Sequence, residues 1–170
     1  MDETTKRVAE GLKKAMQAEH EGRHFYLMAS ESTKDPKGQQ TFKELAEEEL
    51  DHFNYLKRHY ESVVKTGKID STARLGEQKV LTGMHPIFSE DIQKRVKDAH
   101  YEMTALSIGV QLEMSAIQFY RAEAEAATDP GVKELHQELA KWEQGHLSAL
   151  EQEIEALKED YWHDAGFAPF

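Results

Sequence analysis

The 170-residue sequence contains no cysteine. That excludes disulfides, zinc–thiolate sites, iron–sulfur clusters and a rubredoxin-type iron centre. Any metal held here must be bound by Glu, Asp and His, and nine histidines and 32 acidic residues are on hand for it. Long apolar runs are also missing. No stretch approaches the roughly 18–20 residues of a membrane span, charged residues make up 31% of the chain, and the mean hydropathy is −0.73. The opening Met1-Asp2-Glu3-Thr4 is polar and acidic and lacks the apolar core of a secretory signal. A soluble, cytoplasmic protein with no membrane partner is expected. Positive charge is scarce too: 21 Lys and Arg face 32 Asp and Glu, a net charge of −11. Such a chain repels phosphate backbones, so nucleic acid is not an expected partner.

Helix breakers are few and clustered. Proline occurs at 36, 86, 130 and 168 only. Between these points Ala, Glu, Lys, Leu and Gln recur with helical periodicity. The pattern predicts helices over about 3–33, 37–65, 93–127 and 131–160, within one domain large enough to bury a core. Asp35-Pro36 and Asp129-Pro130 each set an N-cap residue before a first-turn proline, so each ends one helix and starts the next. The result is two tight αα-hairpins, about 3–65 and 93–160. The connector 66–92 carries Gly67, Gly76, Gly83 and Pro86 and leaves room for a short helix near 74–81. The tail 161–170 holds Tyr161, Trp162, Phe167 and Phe170, which are expected to pack onto the bundle or a neighbouring subunit.

The hairpins repeat. At an offset of 94 residues, Glu19 meets Glu113, Phe25-Tyr26 meets Phe119-Tyr120, and one Asp-Pro meets the other. Glu49 then meets Glu143, His52 meets His146, and Leu56 meets Leu150. Two such hairpins joined by a long crossover make an all-α four-helix bundle with pseudo-two-fold symmetry.

All four repeated glutamates fall on apolar stripes. Glu19 lies among Leu12, Ala15, Met16, Gly22 and Tyr26, and Glu113 among Leu106, Val110, Ala116, Ile117 and Tyr120. Glu49 lies among Phe42, Leu45, Ala46, Phe53 and Leu56, and Glu143 among Leu139, Ala140, Leu147 and Leu150. A carboxylate stranded in a core costs several kcal/mol, on the order given by transfer data, or becomes protonated. Glu19 and His52 stand equally far from the first turn, as do Glu113 and His146 from the second. Each histidine follows a glutamate at i+3 on the same face. Six side chains should therefore converge at one level. Four ionised glutamates carry −4, which two divalent cations neutralise, and mixed O/N ligation suits iron or manganese, with zinc also possible. A purely structural Glu–His network is the alternative, but two histidines do not offset four buried negative charges. Tyr26 and Tyr120 are placed to hydrogen-bond the ligand carboxylates, or to act as ordinary core aromatics. Gly22 and Ala116 either leave room for an exogenous oxygen ligand or allow close helix packing. His136 takes the repeat position of Phe42 and reads as a satisfied core histidine. His20, His24, His59, His85, His100 and His163 have no histidine at the repeat position and read as surface residues.

The pattern E-x-x-[AG]-x-x-F-Y at Glu19–Tyr26 and Glu113–Tyr120, with L-A-x-x-E-x-x-H at Leu45–His52 and Leu139–His146, resembles the rubrerythrin branch of the ferritin-like di-iron proteins. The resemblance spans all four helices. It implies a ferritin-like bundle, acting as a homodimer, with two iron ions held by Glu19, Glu49, His52, Glu113, Glu143 and His146. It also implies reaction with peroxide or dioxygen and re-reduction by an external electron-donor protein. An iron-handling ferroxidase is the other activity such a centre supports. Three departures stand out. No cysteines exist to build the rubredoxin domain of full-length rubrerythrins, the connector is longer than expected, and Ala116 occupies the place of an extra glutamate tied to their peroxidase chemistry.

Overall fold

A computed structural model describes residues 2–76, 86–94 and 99–164. The described helices are α1 (Glu3–Ser32), α2 (Pro36–Thr66), α3 (Glu90–Lys94), α4 (His100–Ala126) and α5 (Pro130–Asp164). Helices α1 and α2 form one hairpin and α4 and α5 the other, with α1 set against α4. Among the described residues no helix is long and apolar enough to cross a membrane.

Both Asp-Pro turns work as their chemistry dictates. Asp35 Oδ1 accepts the Gly38 N–H at 2.8 Å, and Asp129 Oδ1 accepts those of Gly131 and Val132 at 2.8 and 3.0 Å. Proline follows where its missing N–H goes unmissed. At the far end of α2, Gly67 turns the chain out at φ 76°, a left-handed cap that favours glycine.

The core consists of two apolar clusters. One gathers Tyr26, Phe42, Leu45, Leu106 and Leu150 near the first turn, and the other gathers Leu12, Leu56, Val63, Tyr120, Leu135 and Leu139 near the second. The start of α4 thus lies beside the end of α1, and the two turns sit at opposite ends of the bundle. This is why the crossover is long. It must return along helices of about 45 Å at 1.5 Å per residue.

The returning chain is pinned at the first turn. Ile87 and Phe88 are fully buried, and their N–H groups donate to Glu153 at 2.8 and 3.2 Å. Ser89 donates through its N–H to Asp35 Oδ1 at 3.1 Å and through its hydroxyl to Oδ2. One aspartate therefore caps α2 and anchors the connector.

Several boundaries differ from the sequence reading. Helix α4 begins at His100, not 93, because Ala99 leaves the helical region at ψ 33° and the short α3 takes up part of the interval. Helix α5 continues to Asp164, so the aromatic tail begins as helix, and Tyr161 is exposed. Phe167, Phe170 and the Trp162 side chain lie outside the described residues. Of the short helix expected near 74–81, residues 74–76 are not helical and the rest lie outside the described residues.

Candidate metal centre

Between the two apolar clusters lies a charged layer. Glu19, Glu49, His52, Glu113, Glu143 and His146 are each at most 3% exposed. Their ligand atoms form two groups: Glu19, Glu49, His52 and Glu143, and Glu49, Glu113, Glu143 and His146. Within each group the atoms lie within 4.8 Å of one another. Glu49 and Glu143 belong to both groups, as carboxylates bridging two cations would.

The expected levels are met in space. His52 Nδ1 lies 3.3 Å from Glu19, 3.6 Å from Glu49 and 3.0 Å from Glu143. His146 Nδ1 lies 3.3, 3.7 and 3.1 Å from Glu49, Glu113 and Glu143. The tyrosines cross between hairpins: Tyr26 donates to Glu113 and Tyr120 to Glu19. Each fixes one oxygen of a carboxylate contributed by the other half.

Protons and charges in this layer are finely opposed. Burial, then repulsion from Glu143 and Glu49, pushes Glu19 well above the usual carboxylate range. Burial and the same type of repulsion from Glu49 and Glu143 push Glu113 up to about 8. Burial also acts upward on Glu49 and Glu143, but the close approach of other buried groups, the charged histidines above all for Glu143, outweighs it and holds both low. Burial would lower His52 and His146, yet the surrounding carboxylates raise both well above the ordinary imidazole range. Burial thus favours the protonated form of Glu19 and Glu113, and the carboxylates favour the protonated form of both imidazoles. Divalent cations would compete with those protons for the same atoms.

The donors fit cations better than they fit each other. Among the described residues, both Glu143 oxygens and His146 Nδ1 are buried without a hydrogen bond of good geometry, although Glu143 Oε1 lies 3.0 Å from His52 Nδ1 and Oε2 lies 3.1 Å from His146 Nδ1. Buried polar atoms rarely go unsatisfied, and an ion accounts for three at once. Carboxylate-rich O/N ligation suits iron or manganese. A cavity of about 320 Å³ opens onto Glu19, Glu49, Glu113 and Glu143 between α1 and α4. Gly22 and Ala116 line it. A Cβ added at Gly22 would meet the Glu49 carboxylate in ordinary contact at 3.7 Å, so the glycine leaves space beside a ligand.

Two histidine readings need correction. His59 is not on the surface but only 2% exposed, and among the described residues neither ring nitrogen has a hydrogen-bond partner. It lies on the α2 stripe with His52 and Tyr55, whose ring it meets edge-on. His136 is in the core as expected, but its Nδ1 lacks a partner, so it is not satisfied. His20, His24 and His100 are exposed, while His85 and the His163 side chain lie outside the described residues. The sequence reading also missed Glu48, buried with Oε2 2.8 Å from His146 Nε2. Its spacing from Leu45 and His52 on one helical stripe was the available signal.

No curated protein matches this sequence. A hypothetical protein of solved structure from Pyrococcus furiosus is 27% identical, with a TM-score of 0.55, over 89% of this chain and 90% of that one. The family model for rubrerythrin matches residues 10–154. With the bundle, the duplicated hairpins and the buried carboxylate–histidine layer in place, the chain belongs to the rubrerythrin family of ferritin-like proteins.

Proposed function

We propose that this chain is a cytoplasmic di-iron oxidoreductase that reduces hydrogen peroxide, or alternatively dioxygen, with electrons from an external donor protein. The observation that carries this reading is the sharing of Glu49 and Glu143 between two buried four-residue groups. Glu19 and His52 would complete one iron position, and Glu113 and His146 the other. Bound there in the ferrous state, the pair would supply one electron per ion, and each peroxide would take up two electrons and two protons and leave as two waters. The cavity beside Gly22 and Ala116 admits a small oxidant to the carboxylates. Tyr26 and Tyr120 hold Glu113 and Glu19 by their hydroxyls, which limits carboxylate movement as the charge of the site changes. The apolar clusters close the layer to bulk water at its two ends, so the cavity is a side entrance to it.

Ferroxidase activity is the second reading. It is favoured by Ala116, which puts a methyl group rather than a carboxylate at that point of the cavity wall. Anaerobically reduced, iron-loaded protein should be mixed with peroxide, and separately the iron-free protein with Fe(II) in air. Fast oxidation by peroxide with repeated turnover under a reductant supports the first reading. Turnover only with added Fe(II) supports the second. Size exclusion adds a check, since a homodimer is expected for the oxidoreductase and a large shell for a storage protein.

A further inference from the structure

The six ligand-type residues repeat between the hairpins, but their surroundings do not. In the second half, His146 presents Nδ1 to the carboxylate layer and Nε2 to Glu48, 2.8 Å away and buried. At the 94-residue offset, the counterpart of Glu48 is Trp142. The Trp142 ring stands edge-on to His52, with centroids 5.3 Å apart and planes at 88°. Among the described residues His52 Nε2 has no hydrogen-bond partner. On the side away from the layer, one imidazole is thus steered by a carboxylate, and the other, among the described residues, meets an aromatic edge.

An imidazole that donates its outer N–H to a carboxylate is fixed in tautomer and ring orientation and is a stronger donor to a metal. We infer that the two metal positions are unequal. The position beside His146 and Glu113 binds first and tightly because Glu48 supports its histidine, and the position beside His52 and Glu19 is weaker and exchangeable. Glu48 is then a positioning residue, acting through His146. This rests on the di-metal reading above, and it goes beyond it by ranking the positions and naming the cause.

Cobalt(II) separates the two ideas. The metal-free protein is titrated with Co(II) by calorimetry, and crystals grown with one equivalent are examined by anomalous scattering. Two binding steps are expected, with the single-equivalent peak beside His146. Glu48→Gln, nearly isosteric, should weaken the tighter step by about 10–100-fold and bring the two steps together. Trp142→Glu should strengthen the weaker step and split the single-equivalent peak between the positions. Equal steps in the unaltered protein, a first peak beside His52, or equal loss at both positions in Glu48→Gln would overturn the ranking while leaving the di-metal site intact. Absence of any Co(II) binding would instead overturn the di-metal reading itself. Circular dichroism of both variants checks that the bundle is retained.

Discussion

At the scale of single residues, the two bridging candidates and the two terminal ones should behave differently. Glu143 contributes to both ligand groups and Glu19 to one. Glu143→Ala is expected to lose most of both metal ions, whereas Glu19→Ala should keep roughly one per chain, the His146-side ion. Elemental analysis of protein purified without added metal reads this directly, and unchanged content in Glu143→Ala would remove Glu143 from the ligand set. The protonation pattern yields a second outcome. Glu19 and Glu113 are raised, the latter to about 8, and both ligand histidines are raised. All four shifts favour the protonated form, so a metal competes with protons for these atoms. Binding should therefore release protons and tighten as pH rises. Calorimetry in buffers of different ionisation enthalpy counts them, and no proton release would contradict this charge pattern.

At the scale of elements, the turns carry different loads. Asp129 only caps α5, while Asp35 caps α2 and also anchors Ser89 of the returning connector. Asp129→Ala should cost about 1 kcal/mol, typical of a lost N-cap. Asp35→Ala should cost about 2–3 kcal/mol, because two part-buried hydrogen bonds from Ser89 go with the cap. Urea denaturation of the two variants compares them, and equal losses would mean that the connector contributes nothing at this point. Gly38 belongs to the same junction. A Cβ there would stand 2.5 Å from the Phe88 ring, so the closeness of turn and connector depends on a residue without a side chain.

At the scale of the whole molecule, the buried layer and the buried histidines set how stability depends on conditions. His59 and His136 are both held down at about 4, first by burial, and His136 also by the charge of His59. An unfolded histidine titrates near 6.5. Between about 6.5 and 4 the unfolded chain therefore binds more protons than the native one. The stability these neutral rings contribute is complete above 6.5 and is lost as pH falls towards 4. His136→Phe, which copies Phe42 of the repeat, should flatten the dependence of Tm on pH in that window, by about 1–2 kcal/mol after allowance for solvent screening. An unchanged slope would show that His136 is not buried neutral. Metal acts in the opposite sense. A ligand bound only by the native state stabilises it by mass action, by about 2.7 kcal/mol at a hundredfold excess over Kd, so added Fe(II) or Co(II) should raise Tm.

Much of this was legible in the sequence. The 94-residue repeat, the two Asp-Pro turns and the placing of Glu19, Glu49, His52, Glu113, Glu143 and His146 on apolar stripes are local patterns, and local geometry converts them into hairpins and levels. The start of α4 was not legible, since residues 93–99 carry helix-forming composition and nothing in it marks Ala99 as the residue that leaves the helical region. The burial of His59 was legible in its spacing from His52 and Tyr55 but was missed. The bond from Glu48 to His146 was not legible, because it depends on which residue of the opposite hairpin stands across the core, and periodicity along one helix does not record that. Local chemistry thus determined the bundle, its duplication and the acidic, cysteine-free character of any metal site. Tertiary packing brought Glu49 and Glu143 into both buried groups, and it alone decided that the two symmetric halves meet unlike neighbours. The reason is that a shared ligand and an outer hydrogen bond are relations between helices, fixed only when the two hairpins close on each other.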